Sequence, residues 1–260
     1  MEKPSSPEEY IKWWNKNFDE KIDGATKKQY ESACVLVKYN FENSAEWNNL
    51  IRELHNCEAT YRQTRGYDLL MKKPEEIKLD IKKWDGFISK VWRRNVLENK
   101  NWDKEDNKPE TGWITPLNWL ERINDTVRTA VVVKYLDGVS LLLDSMVCLF
   151  EGCGCNCKED WQAREEGYYA AHLNVIRDYE LPFGFQTRKN KISVEIQITT
   201  QMKDVIRELT HRYYEDRRMR LEAPSKKWQW DYRSKEFAPN YIGHILHYVE
   251  GAIMEIRDRR

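Results

Sequence analysis

Apolar residues recur at helical spacing near the start of the chain. Ser6-Pro7-Glu8-Glu9 reads as a helix start, with Ser6 as the cap, Pro7 in the first turn and Glu9 completing a capping box. Tyr10, Ile11, Trp14 and Phe18 follow on one face. A second helix is predicted over Thr26–Tyr39, and Ser44 caps a third that carries Trp47, Leu50, Ile51, Leu54 and Cys57. Residues 81–94 pass from extended to helical, turn Phe87, Ile88, Val91 and Trp92 inward, and end in the cationic pair Arg93-Arg94. The polar, irregular stretch Val96–Thr115 predicts a surface loop. Ile123–Tyr135 is a β-branched run that predicts a buried strand, and Leu136–Phe150 the helix after it.

Beyond that helix the period drops to two. Val194, Ile196 and Ile198 alternate with Glu195 and Gln197, which puts both polar side chains on one sheet face. A half-buried carboxylate there calls for a cation. An adjacent strand is implied by Gly167–Leu173, which carries Tyr168 and His172. Gln201–Asp216 is helix-like, and an amphipathic helix runs to Arg257, with Ile242, Ile245, Leu246, Val249, Ile253 and Ile256 as its expected packing stripe. Helices first, then strands mixed with helices, give an α+β (mixed α/β) fold, a mixed sheet flanked by helices. The expected organisation is a helical cover over residues 1–75, a core over 76–220 and a C-terminal helix over 221–260 packed on that core, one domain overall.

Composition narrows the classes. The formal net charge of zero in 260 residues, a third of them charged, gives no global basic field for nucleic acid. No long apolar run and no basic-then-apolar leader occur, so a cytoplasmic protein without a membrane partner is expected. Cys153, Cys155 and Cys157, with Cys148 upstream, lack a second Cys/His pair at zinc-finger spacing and read as reduced thiols in a glycine-bearing loop.

Four ordered pieces carry a family likeness. Gly167-Tyr168-x-x-x-His172 matches a Gly-Tyr-x-x-x-His strand, and Glu195-Ile196-Gln197-Ile198-Thr199-Thr200 a Glu-Ile-Gln-Ile-Arg-Thr strand. Glu208, His211 and Tyr214 fit Glu-x-x-His-x-x-Tyr, and Lys82 and Lys90 fit the two lysines of a phosphate-facing segment. Over roughly residues 78–216 the chain resembles the synthetase domain of the RelA/SpoT family, pyrophosphokinases that move the β,γ-diphosphate of ATP onto a ribose 3′-hydroxyl. The resemblance implies the nucleotidyltransferase-like fold, with added N- and C-terminal helices, and a small synthetase of the alarmone or toxic type.

Diphosphate transfer asks for positioning and charge neutralisation rather than covalent chemistry. Asp125, at the start of one strand, and Glu195, within another, are hard oxygen ligands that suit Mg²⁺. By resemblance Asp125 holds the metal and Glu195 shares it or activates the 3′-hydroxyl. His172 lies near the phosphates or acceptor, Tyr168 stacks on the acceptor base, and Lys82, Lys90, Arg128 and Gln197 bind substrate.

The chain also departs from the family pattern. Asp80 and Ala130 stand where two arginines sandwich adenine, Arg128 stands for a glycine, Gly86 for a serine and Thr199 for an arginine. Arg128, Arg93 and Arg164 are candidate replacements for the missing guanidiniums. The acceptor is open between GDP or GTP, giving (p)ppGpp, and the 3′ end of tRNA, as in a toxin with a partner antitoxin. The tRNA reading would use a basic track of Lys203, Arg207, Arg212, Arg217, Arg218 and Arg220. An inactive nucleotide-binding relative is the further alternative, and the oligomeric state is open.

Overall fold

The computed structural model describes residues 3–104, 107–183, 186–207 and 228–259. Five strands, β1 (Asp80–Ile81), β2 (Val127–Val133), β3 (Asn156–Ala163), β4 (Tyr169–Phe183) and β5 (Gln186–Thr200), form one sheet in the order β1-β2-β5-β4-β3. The fold is mixed α/β, a mixed sheet flanked by helices. β3 and β4 are an antiparallel hairpin with Ala163 opposite Tyr169 and Asn156 opposite Ile176.

β2 is not buried on both faces. Val127, Thr129, Val131 and Val133 are buried, while Arg128, Ala130 and Val132 are half-buried. The β-branched run conceals this alternation because Val132 is as apolar as its inward neighbours. In β5, Ile196 and Ile198 point to the core at 0% exposure, as the period of two requires.

The chain divides into two compact units. The first comprises Met1–Asn40, Asp80–Val127 and Arg177–Val194. It holds α1 (Pro7–Asn17), most of α2 (Gly24–Glu42), α4 (Trp84–Trp92) and α5 (Trp119–Arg122). Ser6 caps α1 by accepting from the Glu9 amide, but the Glu9 carboxylate reaches Ser5, to its amide and hydroxyl, rather than Ser6. The α1 face packs into an indole cluster: Trp14 stacks on Phe18 at 3.9 Å, and Trp13 meets Trp102 and Trp113. Trp102 and Ile114 are therefore buried within the stretch expected to be a surface loop, and Asn95 pins it by donating to the Ile114 carbonyl and accepting from its amide. Isolated anchors of this kind give no periodic signal. α4 runs into a π-helical turn, Arg93–Leu97, closed by the Glu98 amide on the Arg93 carbonyl.

The second unit comprises Phe41–Leu79, Arg128–Ile176 and Glu195–Arg260. α3 (Ala45–Arg65), capped by Ser44 as expected, packs on α6 (Asp137–Gly152), with Leu50, Leu54 and Tyr61 buried and the Tyr61 hydroxyl donating to Asp137. Gly138 lets α6 start close to β2, since a Cβ there would lie 2.6 Å from Leu69 and 3.1 Å from Val133. The C-terminal helix, Phe237–Asp258, departs from its expected packing stripe, of which only Leu246 and Ile253 are half-buried. Ile242, Ile245, Val249 and Ile256 are exposed, Ile256 by 62%. The helix docks instead through Gly243, Glu250 and Arg257, a polar face at helical spacing: Lys203 donates to the Gly243 carbonyl, Thr200 to Glu250, and Arg257 to Asp137 and Tyr61. Apolar periodicity reports segregation, not which face is covered.

Among the described residues all six cysteines are free thiols and no His, Cys, Asp and Glu side chains group as a metal cage. Burial pushes the Cys157 thiol up to about 11, helped by Cys155, so it is protonated at neutral pH. No helix among the described residues is long and apolar enough to cross a membrane.

Candidate active site

In the first unit, β1 brings Lys82 beside the residues that lead into β2: the Lys82 amide donates to the Thr126 carbonyl at 2.9 Å, and the Lys82 carbonyl accepts from Tyr30. α4 then returns Lys90 to the same place, because Phe87, Ile88, Val91 and Trp92 hold its other face in the core. The two ammoniums bracket Asp125, Lys82 Nζ 3.0 Å from Oδ2 and Lys90 Nζ 2.7 Å from Oδ1. All three side chains are largely shielded, at 11–18% exposure. Burial alone would raise the Asp125 carboxyl; Lys90 and then Lys82 outweigh it and hold the group far below the usual carboxylate range. The result is an ionised carboxylate held between two ammonium groups.

That depression is a stability statement. The stabilisation is complete above the unfolded-chain value of about 3.9 and is lost as pH falls through the lower folded value. Thermal unfolding from pH 6 to pH 3 should therefore show a steeper loss of Tm in the wild type than in Lys90→Met, whose Asp125 is less depressed. Parallel slopes would contradict the pairing.

In the second unit, β4 carries His172, Tyr168 is the residue that leads into that strand, and β5 puts Glu195 and Gln197 together by its two-residue period. A chain of contacts results. Tyr168 Oη is 2.9 Å from His172 Nε2, His172 Nδ1 is 3.4 Å from Glu195 Oε2, and Gln197 Nε2 donates to Glu195 Oε1 at 2.5 Å. With the ring proton on Nδ1, the side that faces the carboxylate, Nε2 accepts from the Tyr168 hydroxyl. The arrangement can anchor an aromatic ring, align a histidine and present a carboxylate oxygen for proton transfer.

The remaining candidates fall in different places, and one expectation, for Lys203, is corrected. Lys203 is not on a basic surface; it is buried, and burial lowers its ammonium to about 8. Arg207 pairs with Asp204. Arg212, Arg217, Arg218 and Arg220, with Glu208, His211 and Tyr214, lie outside the described residues. Arg164 lies over the Tyr168 ring, its guanidinium carbon 5.6 Å from the ring centroid. Sequence reading missed that contact, although Arg164 and Tyr168 flank one hairpin turn and must face each other. Arg128 shares a strand face with Ala130. Gly86 sits against Lys82, with room for a small side chain, since an added Cβ would be 4.0 Å from Lys82 Cε.

The fold that carries these clusters is shared with small alarmone synthetases of known structure. Small alarmone synthetase 2 from Bacillus subtilis superposes with a TM-score of 0.54 at 14% identity, covering 89% of this chain and 100% of that one. Small alarmone synthetase 1 from the same organism, bound to its product pppGpp, gives 0.55 at 16% identity over 89% and 98% of the two chains. The same enzyme bound to AMPCPP gives 0.51 at 17% identity over 90% and 100%. At these identities the likeness is one of fold. No protein-family model and no curated protein matches the chain.

Proposed function

We propose that this protein is a pyrophosphokinase that transfers the β,γ-diphosphate of ATP to the 3′-hydroxyl of a guanine nucleotide. The observation that carries the reading is Asp125, ionised and shielded between Lys82 and Lys90, on a fold whose solved examples include a synthetase bound to pppGpp and to AMPCPP. Lys82 and Lys90 suit the neutralisation of donor phosphate charge. The acceptor 3′-oxygen attacks the β-phosphorus, the bond from that phosphorus to the α,β-bridging oxygen breaks, and AMP leaves. In this reading Glu195 accepts the hydroxyl proton, His172 orients Glu195 and the Tyr168 hydroxyl, and the Tyr168 ring stacks on the base, a contact of about 1–3 kcal/mol.

Mg²⁺ fits Asp125, which offers ionised hard oxygens in a phosphate-facing setting, and would take its remaining ligands from phosphate oxygens and water. Bound there, it would neutralise charge on the transferred group. A guanine nucleotide is preferred to tRNA because a synthetase of like fold is solved with its product pppGpp bound.

The test is incubation with γ-³²P-labelled ATP and Mg²⁺ beside GDP, GTP or deacylated tRNA. Label should enter the guanine nucleotides and be lost with Glu195→Gln; label in tRNA, or in nothing, overturns the reading. Restoring a guanidinium near the donor base should also help: Ala130→Arg is expected to lower the KM for ATP about tenfold, the worth of one shielded cation–π contact. An unchanged KM would mean that the adenine is held elsewhere.

A further inference from the structure

The face of the C-terminal helix toward β4 bears a histidine that the mechanism does not use. The turn Arg164–Gly167 leads directly into Tyr168, with the Arg164 amide on the Tyr168 carbonyl at 3.0 Å and the Gly167 amide on the Arg164 carbonyl at 2.8 Å. Gly167 has φ +77°, and its backbone touches the helix backbone. A Cβ there would lie 2.5 Å from the Asn240 carbonyl oxygen and 3.0 Å from Gly243 Cα; one on Gly243 would lie 2.5 Å from the Gly167 carbonyl oxygen. Two glycines allow this approach and nothing larger does.

His244 grips the chain on both sides of Tyr168. Its Nε2 donates to the Glu165 carbonyl at 2.8 Å, and its Nδ1 accepts from the Tyr169 hydroxyl at 2.9 Å. One neutral tautomer satisfies both bonds. Tyr169 is held further by the His247 ring, stacked at 3.8 Å, and by Lys203 Nζ, 4.5 Å from its ring centroid. Tyr168 and Tyr169 are adjacent on an extended segment, so they point to opposite sheet faces. The helix therefore holds the back of the strand whose front presents Tyr168.

We infer that His244 is a positioning residue for the acceptor: through Glu165 and Tyr169 it fixes where Tyr168 stands. The inference rests on the reading that Tyr168 stacks on the acceptor base. A hairpin tip with exposed residues 163–165 is ordinarily mobile, and a mobile Tyr168 would bind the base with added ordering cost. The donor side has no share in this grip, so the effect falls on one substrate.

Two readouts separate the inference from the reading beneath it. Amide hydrogen exchange needs no activity: in His244→Ala the Gly167 amide should exchange at least about tenfold faster, with α3 and α6 unchanged. Unchanged exchange overturns the grip. In the transfer assay the KM for the guanine acceptor should rise about tenfold, with the KM for ATP and kcat at saturating acceptor within about twofold. An unmoved acceptor KM, or equal shifts for both substrates, overturns the positioning role. Tyr169→Phe removes one hydroxyl from a half-buried ring and should show the same pattern at about threefold, which guards against a misfolded His244→Ala. His244→Gln, whose amide can still donate to the Glu165 carbonyl, should be intermediate. If the wild type transfers label to no acceptor, the enzymatic reading and the positioning role both fall, while the exchange result still decides the grip.

Discussion

Asp125→Asn will remove transfer activity and destabilise the protein, and the two losses are separable. Asparagine keeps the shape of the carboxylate but takes away the negative charge that faces Lys82 and Lys90, both largely shielded. Removing one partner from a shielded ion cluster costs about 3–5 kcal/mol. For a chain of this size that is a fall in Tm of roughly 6–20 °C. Transfer should drop by about a thousandfold, because the same carboxylate is proposed to hold the metal that offsets charge on the transferred diphosphate. Adding Lys82→Met and Lys90→Met to Asp125→Asn removes the two ammoniums that face position 125, so Tm should recover while activity does not. Activity within about tenfold of wild type in the single variant would sink the role given to Asp125.

Much of this arrangement was legible because it follows from local rules. Ser44 and the indoles of α1 announce their helices by capping and spacing, and the alternation through Glu195 and Gln197 places both on one face whatever the strand's neighbours. The resemblance assigns Lys82 and Lys90 to phosphate and Asp125 to a metal; it does not give their mutual pairing, which depends on β1 and α4 returning to the start of β2. The misreadings have a common cause. Lys203 and the C-terminal helix were judged by residue type, charge outward and apolar inward. The structure inverts both, because Lys203 finds the Gly243 carbonyl and a tyrosine ring, and Glu250 and Arg257 find Thr200 and Asp137. Partner identity decides such cases, and partners distant in sequence leave no periodic trace.

Glu195→Gln tests the acceptor end at its most sensitive point. The substitution is isosteric and retains an oxygen to accept from Gln197. It cannot accept a proton from the attacking hydroxyl, so kcat should fall by about 10²–10⁴-fold with the acceptor KM little changed. A second consequence follows from the contacts of His172. With the new amide directed at His172, Nδ1 meets a donor instead of a carboxylate, and the ring proton is driven to Nε2, which must then donate to the Tyr168 hydroxyl. Nitrogen-15 NMR of the histidine rings should accordingly report His172 protonated on Nδ1 in the wild type and on Nε2 in the variant. If kcat falls without the tautomer change, Glu195 acts on the hydroxyl directly and His172 only packs. If the tautomer changes while kcat is preserved, Glu195 orients the ring and the proton goes elsewhere. Both together are the outcome expected of a carboxylate that accepts the proton and sets the histidine between it and Tyr168.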